Sequence, residues 1–569
     1  MMKVKYSRYL IIFFLLMCIT ASIFNNKMHL SSKSSYHQVI SEAVTIAISN
    51  LKYDLPGYVG YIEMRDKIDN YGTIDNKILQ EIILLQNQNF DKSEKMLMGN
   101  ANIGYSDFIK LAFLLFDYNV SSLVYLYLII FIISILIYTL EFKNNQAAIS
   151  ILIFFLVSYY FILLAIIKSS QLGIIYNPRV MSLLGVMPFL HLIIFAIFKR
   201  NQIKTYSIIF IILQSIILAW VYNMRFTISW MYIFFVVLLL FQLLTIYKSR
   251  KSYIGDKNKL LINLSKIYPL LIAFIIFSIF SINYNSAKNI EYNNSLGKHV
   301  FWHSILIGIL AYDDTIFLNN TGIKRETHHN ISNFCNIDKY AHIKETILIR
   351  KTVCKSLNAK FLSTFINFWY RESNDQDAYS ATLFSLYKNN QDIYLLYNFP
   401  KNAPINIPKT FEIFEFNEGL KNKIIVKDSD NYRDMNMSLD FNWIKHEELS
   451  KQIVIENIKK YPFKIIKILI LKPVYFIPEL YKYFMGNFFS FLIIIFVYYW
   501  LLKKEGPSTF DKRYLFMMLV LLPFPLMAPI ITYFDIVTMI DAVLFFLIFL
   551  FFLLYGFLSK LSFKEKTLL

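Results

Sequence analysis

Apolar residues in this chain gather into long runs separated by short basic connections and two long polar stretches. The runs lie at 9–24, 119–140, 148–167, 180–198, 206–222, 228–247, 267–284, 487–502, 514–533 and 536–558. Each comes near the roughly 20 residues that an α-helix needs to cross a hydrocarbon core. The expected fold is therefore all-α, an integral membrane protein with about ten transmembrane helices. It divides into a tail and first span at 1–24, a first polar loop at 25–118 and six spans at 119–284. A large polar, mainly helical region at 285–485 and three final spans with a tail at 486–569 complete it.

Within the polar stretches a helical period recurs. Val39, Ile40, Ala43, Val44, Ala47, Ile48 and Leu51 predict an amphipathic helix over 36–52. Ile78, Leu79, Ile82, Ile83 and Leu85 predict a second over 76–89, with Asp75 as its cap. Residues 106–116 are apolar as well, but joining them to the next run would make a span longer than a bilayer requires. A bend at Asp117 to Asn119, with 106–116 lying near the membrane surface, resolves the excess. In the large region, 342–357, 360–368 and 375–387 have helical spacing, and Tyr461-Pro462 opens a further helix.

Composition agrees with this picture, since 56% hydrophobic residues exceed what a soluble core of 569 residues needs. The formal charge of +19 suggests nucleic acid only until the charges are placed. The first polar loop carries −2 and the large region +5, which leaves +16 in the short connections and tails. There it follows topology. Lys199-Arg200, the cluster Lys248 to Lys259, Lys503 to Arg513 and the tail lysines all fall on one side, while Lys168, Arg179 and Arg225 are alone in the short connections of the other. By the positive-inside bias both termini are cytoplasmic and both polar regions face outward. A bacterial cytoplasmic membrane is the expected location, and nucleic acid is not an expected partner.

Several residues can carry chemistry. Asp313 and Asp314 are adjacent carboxylates near a membrane exit, beside His299 and His303. Such a pair can raise one pKa and serve acid–base work or metal binding, and a solvated helix end is the plainer account. Asp375 and Asp377 form a similar pair, which helix capping also explains. Arg179 and Arg225, on the side poor in basic residues, can grip a phosphate bidentately. Snorkelling to headgroups is the simpler account for Arg225. Cys335 and Cys354 stand 19 residues apart in the outward region. A disulfide between them would contribute about 3 kcal/mol, and two buried thiols remain the alternative. Glycine-rich phosphate loops are absent, which disfavours an ATP-driven pump, and the spacing of His328, His329 and His342 matches no recognised zinc site. Asp541 and His191 are the main ionisable residues inside the runs, few for an ion-coupled carrier.

The long first outward loop, the count of spans and the run 455–476, IENIKKYPFKIIKILILKPVYF, resemble the GT-C superfamily of polytopic glycosyltransferases. That resemblance implies transfer of a sugar from a polyprenyl-phosphate donor to a glycan or glycolipid acceptor, with membrane lipid as the third partner and a divalent cation as a candidate cofactor. It also implies a carboxylate near the interface soon after the first span, where the first acid in this chain is Glu42. Glu42 thus stands beside Asp313 and Asp314 as a candidate base, with Arg179 and Arg225 for the donor phosphate. Two other functions stay open. An O-antigen polymerase or ligase would use His303, Arg371 and the two arginines on a pyrophosphate-linked substrate. A non-enzymatic transport or ligand-binding protein would use the amphipathic helices as packing surfaces.

Overall fold

The computed structural model describes residues 3–25, 30–31, 37–55, 57–71, 73–84, 95–97, 103–168, 176–197, 205–249, 257–286 and 540–568. It also describes 302, 305, 451, 454–455, 458–459, 461–468, 471, 492–493, 495–497, 517 and 519–521. These residues are predominantly helical. In chain order the helices are α1 (Lys3–Asn25), α2 (His37–Tyr53), α3 (Ile62–Tyr71), α4 (Asn76–Leu84), α5 (Ile103–Phe116), α6 (Ser121–Phe142), α7 (Gln146–Lys168), α8 (Leu183–Ile197), α9 (Thr205–Met224), α10 (Ser229–Ser249), α11 (Lys257–Ser286) and α12 (Ile540–Leu568). Two short antiparallel pairs interrupt them. β1 (Leu30–Ser31) pairs with β3 (Thr73–Ile74), and β2 (Val59–Tyr61) with β4 (Lys95–Leu97).

Five helical stretches are long and apolar enough to cross a membrane: Ser121–Phe142, Gln146–Ile167, Thr205–Met224, Phe226–Leu244 and Ile267–Tyr284. Arg8–Phe24, Leu183–Ala196 and Ile540–Gly556 are shorter apolar helices. This is a membrane protein, and helices are the natural form for such sequences because each satisfies its own backbone groups away from water. The expected runs at 487–502 and 514–533 lie largely outside the described residues.

Burial sorts the helices. α7 is enclosed over 89% of its span and α8 is buried at every described side chain, whereas only 28% of the α11 span is covered. α1 and α12 pack on α7, and α9 packs on both α8 and α11. The exposed faces of α10 and α11 are Val237, Leu240, Phe241, Ile275 and Ile279, a surface suited to lipid. The enclosed interfaces are aromatic, with Phe131 stacked on Tyr159 at 4.4 Å and Phe154 among Phe551, Phe552 and Tyr555. Polar side chains join helices as well. The Tyr159 and Tyr127 hydroxyls are 2.7 Å apart, and the Cys18 thiol donates to the Leu156 carbonyl at 3.5 Å.

The segment before α6 forms a small layer of its own. α2 has its predicted place and buries Ile40, Ala43, Val44, Ala47 and Ile48. Asp75 caps α4 as expected, its carboxylate accepting the Ile78 amide at 2.9 Å. α5 ends where a bend was expected. Asp117 takes a left-handed φ of 73°, and the Ser122 hydroxyl lies 2.6 Å from the Asp117 carbonyl and 3.0 Å from that of Phe116. Asn76 fastens α4 to this corner by accepting the Val120 amide at 2.8 Å. The strand pairs were not expected, because two or three residues are too few to show a period of two.

Residues 293–475 and 529–534 make a second compact unit. In it, 462–468 are helical and the Ile465 amide bonds the Tyr461 carbonyl at 3.1 Å, so a helix does open at Tyr461-Pro462.

Candidate functional site

α8 does not begin where its apolar run does. Asn177-Pro178 stops the helix from extending backwards, since proline removes an amide and restricts the residue before it. The Asn177 side chain accepts the Arg179 amide at 3.0 Å, while its carbonyl accepts the amides of Val180 at 2.8 Å and Met181 at 3.0 Å. This Asx turn satisfies backbone that is buried throughout 176–182. With 15 residues, α8 is about 22 Å long against a hydrocarbon core of about 30 Å. The turn extends the enclosed chain beyond the N-terminus of α8, and its backbone is covered by protein. Arg179 sits in it and is 8% exposed.

At the same end of the bundle, α9 stops at Met224 and Arg225 adopts an extended backbone before a 3-10 turn over Phe226–Ile228. Trp230, in the first turn of α10, donates its indole N–H to Asp541 Oδ2 at 2.7 Å. Asp541 opens α12 and is 1% exposed. The Arg225 guanidinium acts on this carboxylate electrostatically. The Ser182 hydroxyl donates to the Arg179 carbonyl at 3.3 Å, within the Arg179 turn. Asp541 Oδ1 and Arg225 Nε are buried and have no hydrogen-bond partner among the described residues. Leaving one such group unsatisfied costs about 1–3 kcal/mol.

A third group lies on α5. Asp107 accepts the Tyr58 hydroxyl at 3.3 Å and a hydrogen bond from Tyr284, the last residue of the α11 span. Burial raises its proton affinity above the usual carboxylate value, and the two tyrosines and Lys110 offset part of the rise. α5 reaches both arginine turns. The Tyr105 hydroxyl donates to the Tyr176 carbonyl at 3.1 Å, and burial keeps that phenol well above its ordinary pKa. A Cβ on Gly104 would stand 2.8 Å from the Asn223 carbonyl carbon, so glycine is what lets α5 lie against the end of α9. Asp107, Arg179, Arg225 and Asp541 thus belong to one end of one packed assembly.

The residues expected from sequence fare unequally. Arg179 and Arg225 come to this end together. Arg225 is half-buried with its Nε enclosed, as a snorkelling side chain with a covered stem also would be. Glu42 is half-buried on α2, which packs on α5. Asp313, Asp314, His299, His303, Cys335, Cys354, Arg371, Asp375 and Asp377 lie outside the described residues. His191 is buried among Tyr138, Phe142 and Phe195. Among the described residues, no group of three or more His, Cys, Asp or Glu side chains could hold a metal ion. Asp107 and the Trp230–Asp541 bond had not been expected. The available signals were a single acid within the apolar run of α5 and an intramembrane acid at 541.

Neither family models, curated proteins nor solved structures match this chain.

Proposed function

We propose that the protein is a membrane glycosyltransferase that moves a sugar from a polyprenyl-phosphate donor to an envelope glycan or glycolipid. In this reading the chain crosses a bacterial cytoplasmic membrane ten times, both termini are cytoplasmic, and the arginine end of the bundle faces outward. The observation that carries it is Asp107, a half-buried carboxylate on a surface helix that also touches the turn of a buried arginine.

The roles follow from chemistry. Asp107 is the base, and burial makes it a stronger one than an exposed carboxylate. It takes the proton of the acceptor hydroxyl as that oxygen attacks the anomeric carbon. The bond from that carbon to the donor phosphate breaks, and polyprenyl phosphate leaves with the electron pair. Arg179 holds the phosphate and stabilises the charge developing on it. Glu42, Asp313 and Asp314 are the alternative bases, and a divalent cation is a candidate cofactor.

The test compares surface glycans and lipid-linked sugars in a deletion strain and in strains carrying Asp107→Asn, Glu42→Gln, Asp313→Asn or Arg179→Ala. The deletion is expected to lose a glycan and accumulate its polyprenyl-linked precursor. Asp107→Asn is expected to reproduce this at normal protein levels, and Glu42→Gln is not. An unchanged glycan and lipid profile in the deletion strain would sink the transferase reading and favour transport or ligand binding.

A further inference from the structure

We infer that the exposed face of α5 is a lipid-contact surface sunk into the leaflet on the arginine side, so that Asp107 opens to the headgroup layer and is reached from within the bilayer. The inference stands whether or not a sugar is transferred at this end.

α5 is divided both around its axis and along it. At about 3.6 residues per turn, Tyr105, Phe108, Ile109, Ala112 and Phe113 fall on one side of the helix, and all are buried. α2, α6 and α9 pack on α5, and the Phe108 ring lies 6.2 Å from that of Trp220. The opposite side carries Asp107, Lys110, Leu111, Leu114 and Leu115. Its first half is charged and half-buried; its second half is leucine, with Leu114 64% and Leu115 56% exposed. A helix with one packed face and one leucine face has the pattern of an element lying in an interface. Lys110 fits the same setting, since its stem can lie along the leucines while its ammonium reaches the headgroups.

Continuity shows what covers the leucines. Tyr125, Ile129, Ile133, Leu136 and Leu140 recur every three or four residues as the exposed stripe of α6, a helix long and apolar enough to cross a membrane. Phe116, the last residue of α5, packs edge-on against Tyr125 at 5.8 Å. The leucine face therefore joins the lipid-facing stripe at the first turn of α6, where a tyrosine is suited to the membrane boundary. A second approach runs along α11. Tyr58 donates to Asp107 at 3.3 Å, and the Tyr58 ring lies 6.5 Å from that of Tyr284, which ends the α11 span. Ile279 and Ile282, just before Tyr284, are exposed. Lipid-facing side chains thus approach Asp107 along both helices, and phenols of amphipathic character meet it at their junction.

The experiment places the photoreactive residue p-benzoylphenylalanine at single positions of the full-length protein. Each variant is irradiated in phospholipid nanodiscs, and adducts are read by mass spectrometry. In place of Leu111, Leu114 or Leu115 it is expected to give phospholipid adducts in yields comparable with those at Ile129 on α6. At Lys77, exposed on α4, the adducts should be lost. Adducts at Ile129 with none at the three leucines overturn the inference, whether water or protein covers that face. The unsubstituted protein supplies a second reading that no folding defect can obscure. Dicyclohexylcarbodiimide, which partitions into lipid, is expected to label Asp107 faster than a water-soluble carbodiimide does. The reverse order, or no labelling by the lipophilic reagent, overturns approach from the bilayer. Neither readout involves a glycan, so lipid adducts together with an unchanged glycan profile in the deletion strain would keep this inference and sink the transferase reading alone.

Discussion

Ser134 and Gln214, between α6 and α9, close on each other: the Ser134 hydroxyl donates to Gln214 Oε1 at 3.0 Å and Gln214 Nε2 donates to the Ser134 carbonyl at 2.9 Å. Asp541 is equally buried and equally helix-bridging, yet it and Arg225 each keep a polar atom without a hydrogen-bond partner among the described residues. The two groups answer different needs. A closed amide–hydroxyl pair holds helices together where lipid offers no hydrophobic drive for association. A buried carboxylate with an open oxygen is costly to build, and the Trp230 indole offsets part of that cost.

The largest effect is expected from breaking the open group. Trp230→Phe keeps the ring packed against Phe189 and Phe545 but removes the donor to Asp541. Loss of a hydrogen bond to a charged buried group should cost about 1.5–3 kcal/mol, read as a lowered unfolding temperature of the full-length protein in detergent. Adding Asp541→Asn should recover part of that loss, because a buried amide is less costly to leave partly unpaired than a buried carboxyl group. If Trp230→Phe unfolds like the wild type, Asp541 is not held as described. Next in size is Gly104→Ala, which drives a methyl into the Asn223 backbone. Overpacking against backbone costs about 1–3 kcal/mol and should also lift α5 from the arginine turns. Activity should therefore fall by more than the loss of folded protein explains.

The closed pair supplies the contrast. Gln214→Leu should cost about 1.2 kcal/mol, since it removes both bonds of the pair and buried interhelical hydrogen bonds in a membrane protein average about 0.6 kcal/mol each. It should leave glycan synthesis per folded protein unchanged, and a loss of synthesis in this variant would mean that the pair does more than hold α6 to α9.

What could be read in advance was local. The α2 period, the Asp75 cap and the bend after Phe116 each depend on residues within a turn or two, and each is found. α8 starts at Leu183, later than the apolar run that begins at 180, because Asn177-Pro178 sets a turn over these residues that hydropathy does not show. The site was hidden for a different reason. Asp107 gains its character from Tyr58, 49 residues earlier, and from Tyr284 at the far end of the membrane module. Asp541 was visible as an intramembrane acid, but nothing near it announces a tryptophan 311 residues away. Arg179 could be ranked from sequence because its scarcity on that side is itself a signal, whereas its burial is a property of the fold.

The smallest effect on stability, and the sharpest on mechanism, is expected from the tyrosines that face Asp107. Burial raises the proton affinity of this carboxylate, and hydrogen bonds from Tyr284 and then Tyr58 lower it again. Each bond favours the ionised form, so deleting one moves the pKa further up. If the ionised form is the working base, activity falls as pH drops through that value, and Tyr284→Phe should shift the acid limb of the pH–rate profile to higher pH. Tyr58→Phe should shift it in the same direction by less. Stability carries the matching sign. Because the folded state binds this proton more tightly than the unfolded chain does, stability increases as pH falls from the raised value towards the ordinary carboxylate range. Asp107→Asn should remove that slope, and Tyr284→Phe should extend its window upwards. An acid limb unmoved by both tyrosine variants would take the base role away from Asp107 and return it to Glu42 or to the Asp313–Asp314 pair.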